Sequence, residues 1–378
     1  MFYYTMYNSL CMALALYRKY RPSTFEDLLG QDIISRILRE EARQNKLAHA
    51  YLFAGSRGTG KTTTARLVAK IANCEKRQSD EKFRAKGEPC NACRMCSEID
   101  EGKNLDVIEI DAASTRGIDD IRDLKENVRV SPSYARNKVF IIDEAHQLTK
   151  DAWNALLKTL EEPPEYVILI LATTEADRVP ATIISRTQQF HFKHISLTTL
   201  VKKLKHIAKE EGIDISDDAL ELVASSAEGS FRDAESLLDQ LVSFNDKKIS
   251  ITEVESMVGK IGFDKLSAFA ELLLDKNIKD SIRILSEIYD GGYNIVQFTK
   301  DLIQYMRRVA VLSHNAEMKE VFANELMADH VSRLEVHSKK FEDKHILLLK
   351  NLIKAYGEMR YSQFPIIPLE VAIIESLK

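Results

Sequence analysis

No run of apolar side chains in the 378 residues approaches the ~18 that a membrane span needs. Charge of one sign is also missing. The 53 Lys and Arg stand against 57 Asp and Glu, for a net charge of −4. That balance is too weak to argue for nucleic acid by bulk electrostatics, so any DNA contact would have to come from a local arrangement of groups. There is no low-complexity tail and no internal repeat. The N-terminus, MFYYTMYNSLCMALAL, has no early positive region, and Tyr, Asn and Ser break its apolar stretch, which makes it a poor signal peptide. Residues 1–12 read as an N-terminal extension, with Met12 as a second start ahead of the first patterned segment. Without an export signal the expected location is cytoplasmic, a reducing compartment where cysteines serve as metal ligands or free thiols more often than as disulfides. What remains is the composition of a globular protein of two or three domains.

Short apolar runs at 51–55 (YLFAG), 107–110 (VIEI), 138–142 (KVFII) and 166–172 (YVILILA), with a last one near 189–192, are separated by helical patterns. That alternation predicts an α/β domain over residues 13–195, a parallel sheet with helices on both faces. From Ser196 the strand signals stop. Helical stretches at 198–211, 217–228 and 231–244, with Gly212 and Gly229 at helix stops, predict a three-helix lid over 196–258. Residues 259–378 read as an α-helical domain. Its helices, such as AFAELLLDKNIKDSIRILSEIY, are apolar over so wide an arc that they call for a bundle core or a partner surface.

The first strand runs into Gly55-Ser56-Arg57-Gly58-Thr59-Gly60-Lys61-Thr62, followed by Thr63 and a helix. This is G-x-x-x-x-G-K-[ST] in the setting its mechanism requires. Glycines let backbone N–H groups turn toward phosphates, and the helix N-terminus adds positive potential. Lys61 is expected to reach the outer phosphates, and the Thr62 hydroxyl to hold Mg²⁺. The run KVFIIDEAHQL delivers Asp143 and Glu144 at the C-terminal end of a strand, where parallel sheets bind ligands. Asp143 is assigned to Mg²⁺, and Glu144 to polarising the attacking water. Thr173 and Thr174 end the next strand beside that pair, and a hydroxyl there could orient the water. Arg186 in TIISRT and Arg232 in GSFRDAES are candidates to meet charge developing on a transferred phosphoryl group, against the plain alternative of surface salt bridges.

Four of the five cysteines are Cys74, Cys90, Cys93 and Cys96. C-x2-C-x2-C plus a thiol at the end of the phosphate-loop helix suits a closed tetrahedral Zn²⁺ site. An iron–sulfur cluster and free thiols are the alternatives. Cys11 falls in the extension.

Together, YRKYRPSTFEDLLGQ, HAYLFAGSRGTGKTTTARLVAKIANC, PCNACRMC, LDVIEIDAAS, VFIIDEAHQLTKDAWNALLKTLEEPP, LATTEADRVPATIISR and GSFRDAESLLDQ resemble the gamma/tau subunit of the bacterial DNA polymerase III clamp loader. The resemblance is dense to about residue 245 and looser beyond. It implies an AAA+ ATPase domain with a zinc module at 74–96, a lid, and a helical collar for oligomerisation. The implied partners are other copies of the chain, delta and delta-prime subunits, the sliding clamp and primer–template DNA. It implies that Thr174 is a sensor threonine, that Arg186 reaches a neighbouring subunit's ATP, and that Arg232 senses the outer phosphate of its own. It further implies that Tyr17, Arg21 and Pro22 belong to a strip near the adenine. The segment AASTRGIDDIRDL after Asp111 would turn a helix start toward the DNA backbone, so that N–H groups grip phosphate without a large net charge.

Three features depart from the family pattern. Thr187 replaces the usual cysteine after Ser185-Arg186, the interval from Cys74 to Cys90 is long, and the sequence stops just after the expected collar, where longer forms carry a tail for polymerase and helicase contact, which reads as either a short form or a shortened chain. Two other functions compete with the ATP-driven loader. A non-hydrolysing scaffold would not need Lys61, Glu144 and Arg186 together, and a small-molecule kinase would not need a lid arginine and a collar.

Overall fold

The computed structural model describes residues 14–114, 126–244 and 248–378, which divide into two compact units. The first comprises the described residues up to Ile195, joined by Ser230–Arg232; the second holds the remainder.

The first unit is built on a five-stranded parallel sheet: β1 (Ala50–Gly55), β2 (Val107–Asp111), β3 (Lys138–Asp143), β4 (Val167–Thr173) and β5 (Gln188–Phe192), in the order β2-β3-β4-β1-β5. The three central strands are apolar without interruption because both of their faces are covered. On one face Tyr51, Phe53, Val139, Ile141, Ile168 and Ile170 pack against Ala65, Leu67, Val68 and Ile71 of the phosphate-loop helix (Lys61–Asn73). Ile34, Leu38 and Ala42 of helix Asp32–Gln44 join the same layer. On the other face Leu52, Phe140, Ile142, Leu169 and Leu171 meet Trp153, Leu156 and Leu160 of helix Lys150–Glu161. The edge strands alternate instead, and the polar positions of β2 include Glu109 and Asp111.

The phosphate-loop helix is fastened to β3 at both ends. The Thr62 hydroxyl donates to Asp143 Oδ2 at 2.7 Å. At the far end the Asn73 amide donates to the Asn137 carbonyl at 2.9 Å and accepts the Asn137 N–H at 2.8 Å. Lengths match: eleven helical steps of 1.5 Å span about 17 Å, and six strand steps about 20 Å.

The link from β1 to β2 crosses to the far edge of the sheet and has room for the cysteine segment, with short helices at Glu75–Ser79, Glu81–Arg84 and Arg94–Asp100. Just ahead of β2, the buried Asp106 carboxylate accepts the backbone N–H groups of Ser133, Tyr134 and Ala135 at 2.8, 3.0 and 2.9 Å.

The second unit is helical. Helices Leu197–Glu211, Asp217–Ser226 and Phe231–Phe244 occur where the periodicity places them, though the second stops two residues short, because Glu228 and Gly229 both turn left-handed (φ 45° and 85°). Ser196 and Ser216 cap the first two, each accepting an N–H three residues on.

Two features correct the expected three-helix segment at 196–258. It contains a fourth helix, Ile251–Val258, opened by a capping box between Ser250 and Glu253. It also contains a parallel pairing of Asp214–Ile215 with Lys248–Ile249, two residues a side and too short to register as hydrophobic alternation. From Phe263 onward seven helices close over a core that includes Phe269, Leu285, Leu302, Leu334, Leu348 and Ile373. This core takes up most of the broad apolar arcs, while Leu347, Ile353, Phe364 and Ile367 stay exposed. No described helix is long and apolar enough to cross a membrane.

Burial alone would raise the Asp106 pKa, but its three backbone donors and nearby Lys138 pull it below the usual aspartate value. A depressed folded-state pKa stabilises the fold above the unfolded value, about 3.9, and that contribution is lost as pH falls through the folded pKa. Asp106→Asn is therefore expected to cost on the order of 1–3 kcal/mol at neutral pH. Denaturant titrations should show the difference from wild type shrinking below about pH 4.

Candidate functional site

The C-terminal ends of β1, β3 and β4 bring the predicted phosphate-site residues together. Gly55, Gly58 and Gly60 all take positive φ (150°, 71° and 103°), so the loop between β1 and its helix can turn back-to-front. Buried Lys61 reaches up from the first helical turn and donates to the carbonyls of Gly55 at 2.7 Å and Ser56 at 2.8 Å. Burial presses its pKa down, and Glu144 and Asp143 pull it back up. Thr59 is held by its hydroxyl on the Ser56 carbonyl at 2.8 Å. Thr62 bonds Asp143, which also accepts the Glu144 N–H at 2.9 Å through Oδ1. A hydroxyl and a carboxylate in contact are the hard oxygen donors that Mg²⁺ takes.

Glu144 has a left-handed backbone (φ 47°), and Thr174 Oγ1 donates to its Oε2 at 3.0 Å. The second threonine, Thr173, is buried, and its hydroxyl accepts the Glu175 N–H at 3.0 Å. A cleft of about 570 Å³ opens beside these groups, lined among others by Arg57, Arg66, Glu109, Asp143, Glu144 and Arg232. Mixed guanidinium and carboxylate walls suit a polyphosphate together with a cation.

Arg232 reaches the same place. Ser230–Arg232 pack with the first unit, and the Phe231 N–H donates to the Gly58 carbonyl at 3.1 Å. The Arg232 guanidinium lies 5.3 Å from the centre of the Tyr17 ring. Tyr17 sits in a short helix, Leu16–Lys19, with Arg21 and Pro22 just after it. Burial, then the positive charge of Arg66, lowers the Arg21 pKa.

Arg186 stands apart from this cluster. It pairs with Glu161 at 2.9 Å and donates to the Thr182 carbonyl at 2.8 Å and Ser185 Oγ at 3.2 Å. An exposed pair of that kind is worth about 0–1 kcal/mol, so it does not hinder exchange for another anion. Of the segment after Asp111 expected to face DNA, residues 115–125 lie outside the described residues, as do the whole N-terminal extension, 1–12, and residue 13.

The four cysteines converge, with ligand sulfurs all within 4.8 Å of one another. Cys90 and Cys96 Sγ are 3.9 Å apart, and the Cys93 N–H donates to Cys90 Sγ at 3.2 Å. A hydrogen bond from Cys96, aided by backbone donors, draws Cys74 down to about 4, while the same bond and burial push Cys96 up. The charge of one thiolate thus suppresses its neighbour's. A tetrahedral ion with bonds of about 2.3 Å to sulfur requires sulfurs about 3.8 Å apart, close to the spacing present.

Some groups at the site carry no flag in the motifs. Arg66, five residues after Lys61, pairs with Glu109 of β2 at 2.7 Å. His146 touches Thr173, Glu144, Glu175 and Gln147. Its only signal in the sequence is its place two residues after Glu144.

Three family models match in succession: "DNA polymerase III, delta subunit" over residues 30–196, "DNA polymerase III clamp loader subunit, ATPase lid domain" over 199–247, and "DNA polymerase III subunits gamma and tau domain III" over 249–377. The chain is 40% identical over 361 residues to DNA polymerase III subunit tau of Bacillus subtilis, covering 96% of this chain and 62% of that one. It is 39% identical over 320 residues to the tau subunit of Escherichia coli, covering 84% and 49%. It is 33% identical over 359 residues to DNA polymerase III subunit gamma of Buchnera aphidicola subsp. Acyrthosiphon pisum, covering 95% and 97%. The chain thus spans about half to three-fifths of these two tau relatives and nearly all of the gamma relative. Among solved structures, the Thermotoga maritima RuvB Holliday junction branch migration motor aligns with a TM-score of 0.46 at 19% identity, over 68% of this chain and 79% of that one, a likeness too loose to carry argument.

A Cβ on Gly58 would lie 1.8 Å from Ser230 Oγ, in a left-handed conformation besides. Gly58→Ala is expected to break the Phe231 N–H bond to this loop. Loss of a bond worth about 1 kcal/mol should speed hydrogen exchange at the Phe231 amide by roughly fivefold or more, read by mass spectrometry or NMR.

Proposed function

The chain belongs to the gamma/tau family of DNA polymerase III subunits, and we propose that it is an ATP-hydrolysing motor of the clamp loader. In this reading it assembles with further copies of itself and with delta and delta-prime subunits. ATP binding lets the assembly open the sliding clamp, and contact with primer–template DNA triggers hydrolysis and release of the closed ring. The observation that carries the reading is the Thr62–Asp143 and Glu144–Thr174 constellation at the mouth of the phosphate loop. It pairs a cation site with a carboxylate held in place, and a scaffold has use for neither.

Each residue then has a task. Lys61 exchanges its two loop carbonyls for the outer phosphates of ATP, and the loop glycines let backbone N–H groups face the phosphates. Thr62 and Asp143 hold Mg²⁺, which when bound neutralises charge on the phosphate oxygens. Glu144, oriented by Thr174, polarises the attacking water. Arg232 moves from the face of Tyr17 to the outer phosphate, and the strip of Tyr17, Arg21 and Pro22 lies against the adenine. Arg186, held by an exposed ion pair and by bonds to its own turn, is offered to the ATP of the adjoining subunit. Residues 196–258 serve as the lid and 259–378 as the oligomerising collar, whose exposed Leu347, Ile353, Phe364 and Ile367 are available to partners.

The cysteine cluster is proposed to hold one structural Zn²⁺. Its donor set is four thiols, and their mutual spacing leaves room for a single ion but not for several irons. An ion there would fasten the far end of the phosphate-loop helix, next to the Asn73–Asn137 clamp.

ATP turnover by the chain with and without delta, delta-prime, clamp and primed DNA tests the main reading; turnover indifferent to all of them would sink it. Arg186→Ala is expected to leave ATP affinity of the isolated chain within about twofold and to cut hydrolysis by the assembly by a factor on the order of 10³. Elemental analysis should return about one zinc per chain, and stripping it should lower the melting temperature of the first unit.

A further inference from the structure

His146 is almost fully buried directly beside the candidate catalytic carboxylate, yet neither the motif logic nor the proposed roles use it. Its Nδ1 lies 3.4 Å from Glu144 Oε2 and 3.2 Å from Thr173 Oγ1. Its Nε2 lies 3.3 Å from Glu175 Oε1 and 2.9 Å from Gln147 Nε2. Only 5% of the His146 side chain is exposed, so the ring cannot drift into solvent. Glu175 is itself anchored, by its N–H on Thr173 and by Arg178 Nε at 2.9 Å.

From this geometry we infer that His146 is a positioning residue for Glu144. The carboxylate is gripped from two sides, by the Thr174 hydroxyl and by the Nδ1 edge of the ring, and both contacts fall on the same oxygen, Oε2. A carboxylate fixed through one oxygen has its other oxygen, Oε1, directed by default. The need for such a grip follows from the backbone. Glu144 leaves β3 in a left-handed turn that by itself does not determine where a two-carbon side chain points. The Nδ1–H neutral tautomer and the doubly protonated ring both place a proton on Nδ1, bonded to Thr173 Oγ1 at 3.2 Å and 3.4 Å from Glu144 Oε2 at its nitrogen. The Nε2 edge, set against Glu175 and Gln147, keeps the ring from rotating.

The inference rests on the ATPase reading, and the test separates the two. Three variants are assembled with delta, delta-prime, clamp and primed DNA: His146→Ala, His146→Asn and His146→Gln. The Asn amide can reproduce a donor at the position of Nδ1, and the Gln amide one at the position of Nε2. The expected result is a kcat roughly tenfold lower for Ala and Gln, with KM for ATP within about twofold, because one orienting contact is a fraction of the 10²–10⁴ that a positioned base supplies. The Asn variant should recover to within about threefold of wild type. ATP affinity of each isolated variant, measured with a fluorescent nucleotide, should match wild type.

A kcat unchanged in Ala, a loss expressed in KM, or rescue by Gln instead of Asn would overturn the inference while leaving the ATPase reading intact. A wild-type assembly without turnover would sink both. If the Ala variant does not fold, the contrast between Asn and Gln decides.

Discussion

The contact between Thr62 and Asp143 is the point on which the first unit turns. It joins the first turn of the phosphate-loop helix to the last residue of β3, so the glycine loop and the acidic pair cannot separate without breaking it. The Asn73–Asn137 clamp secures the same helix to the same strand at the opposite end. A helix held at both ends over a strand of matching length presents its N-terminal N–H groups at a fixed height above the sheet edge. Preorganisation of this kind lets dipoles act on a phosphate without first being reorganised.

From that edge the site grows outward through strands in register. β3 ends at Asp143 beside Asp111 of β2, and β1 runs level with β4 up to Thr173. Parallel strands all end on one side, so side chains separated by more than a hundred residues meet there. The polar groups of the site differ in how they are held. Lys61, Thr62, Asp143 and Glu144 are hydrogen-bonded to backbone or to each other, Arg186 combines an exposed ion pair with bonds to its own turn, and Arg232 lies against a ring face.

Much of this was legible in the residues. The central strands were plain because burial on both faces makes them continuously apolar, and the edge strands because they are short and bounded by polar residues. The phosphate loop, the acidic pair and the four cysteines are each local patterns in which chemistry dictates spacing. Less legible were the Asp214–Ile215 pairing with Lys248–Ile249 and the helix Ile251–Val258. The first is too short to show periodicity; the second was signalled only by the Ser250–Glu253 cap. The broad apolar arcs beyond residue 259 could not be apportioned between core and surface from sequence, because a helix facing a bundle and a helix facing a partner carry the same stripe.

The sequence by itself determined the kinds of chemistry available: a glycine loop of the kind that can cradle phosphate, a strand that ends in two acids, four thiols close enough in the chain to share an ion. Only the tertiary structure decided which groups touch. Nothing in the order of residues says that Asn73 meets Asn137, that Arg66 pairs with Glu109, or that His146 lies against Glu144, Thr173 and Glu175. Such contacts depend on strand order and register, which set distances between residues far apart in the chain, and a local motif holds no record of them.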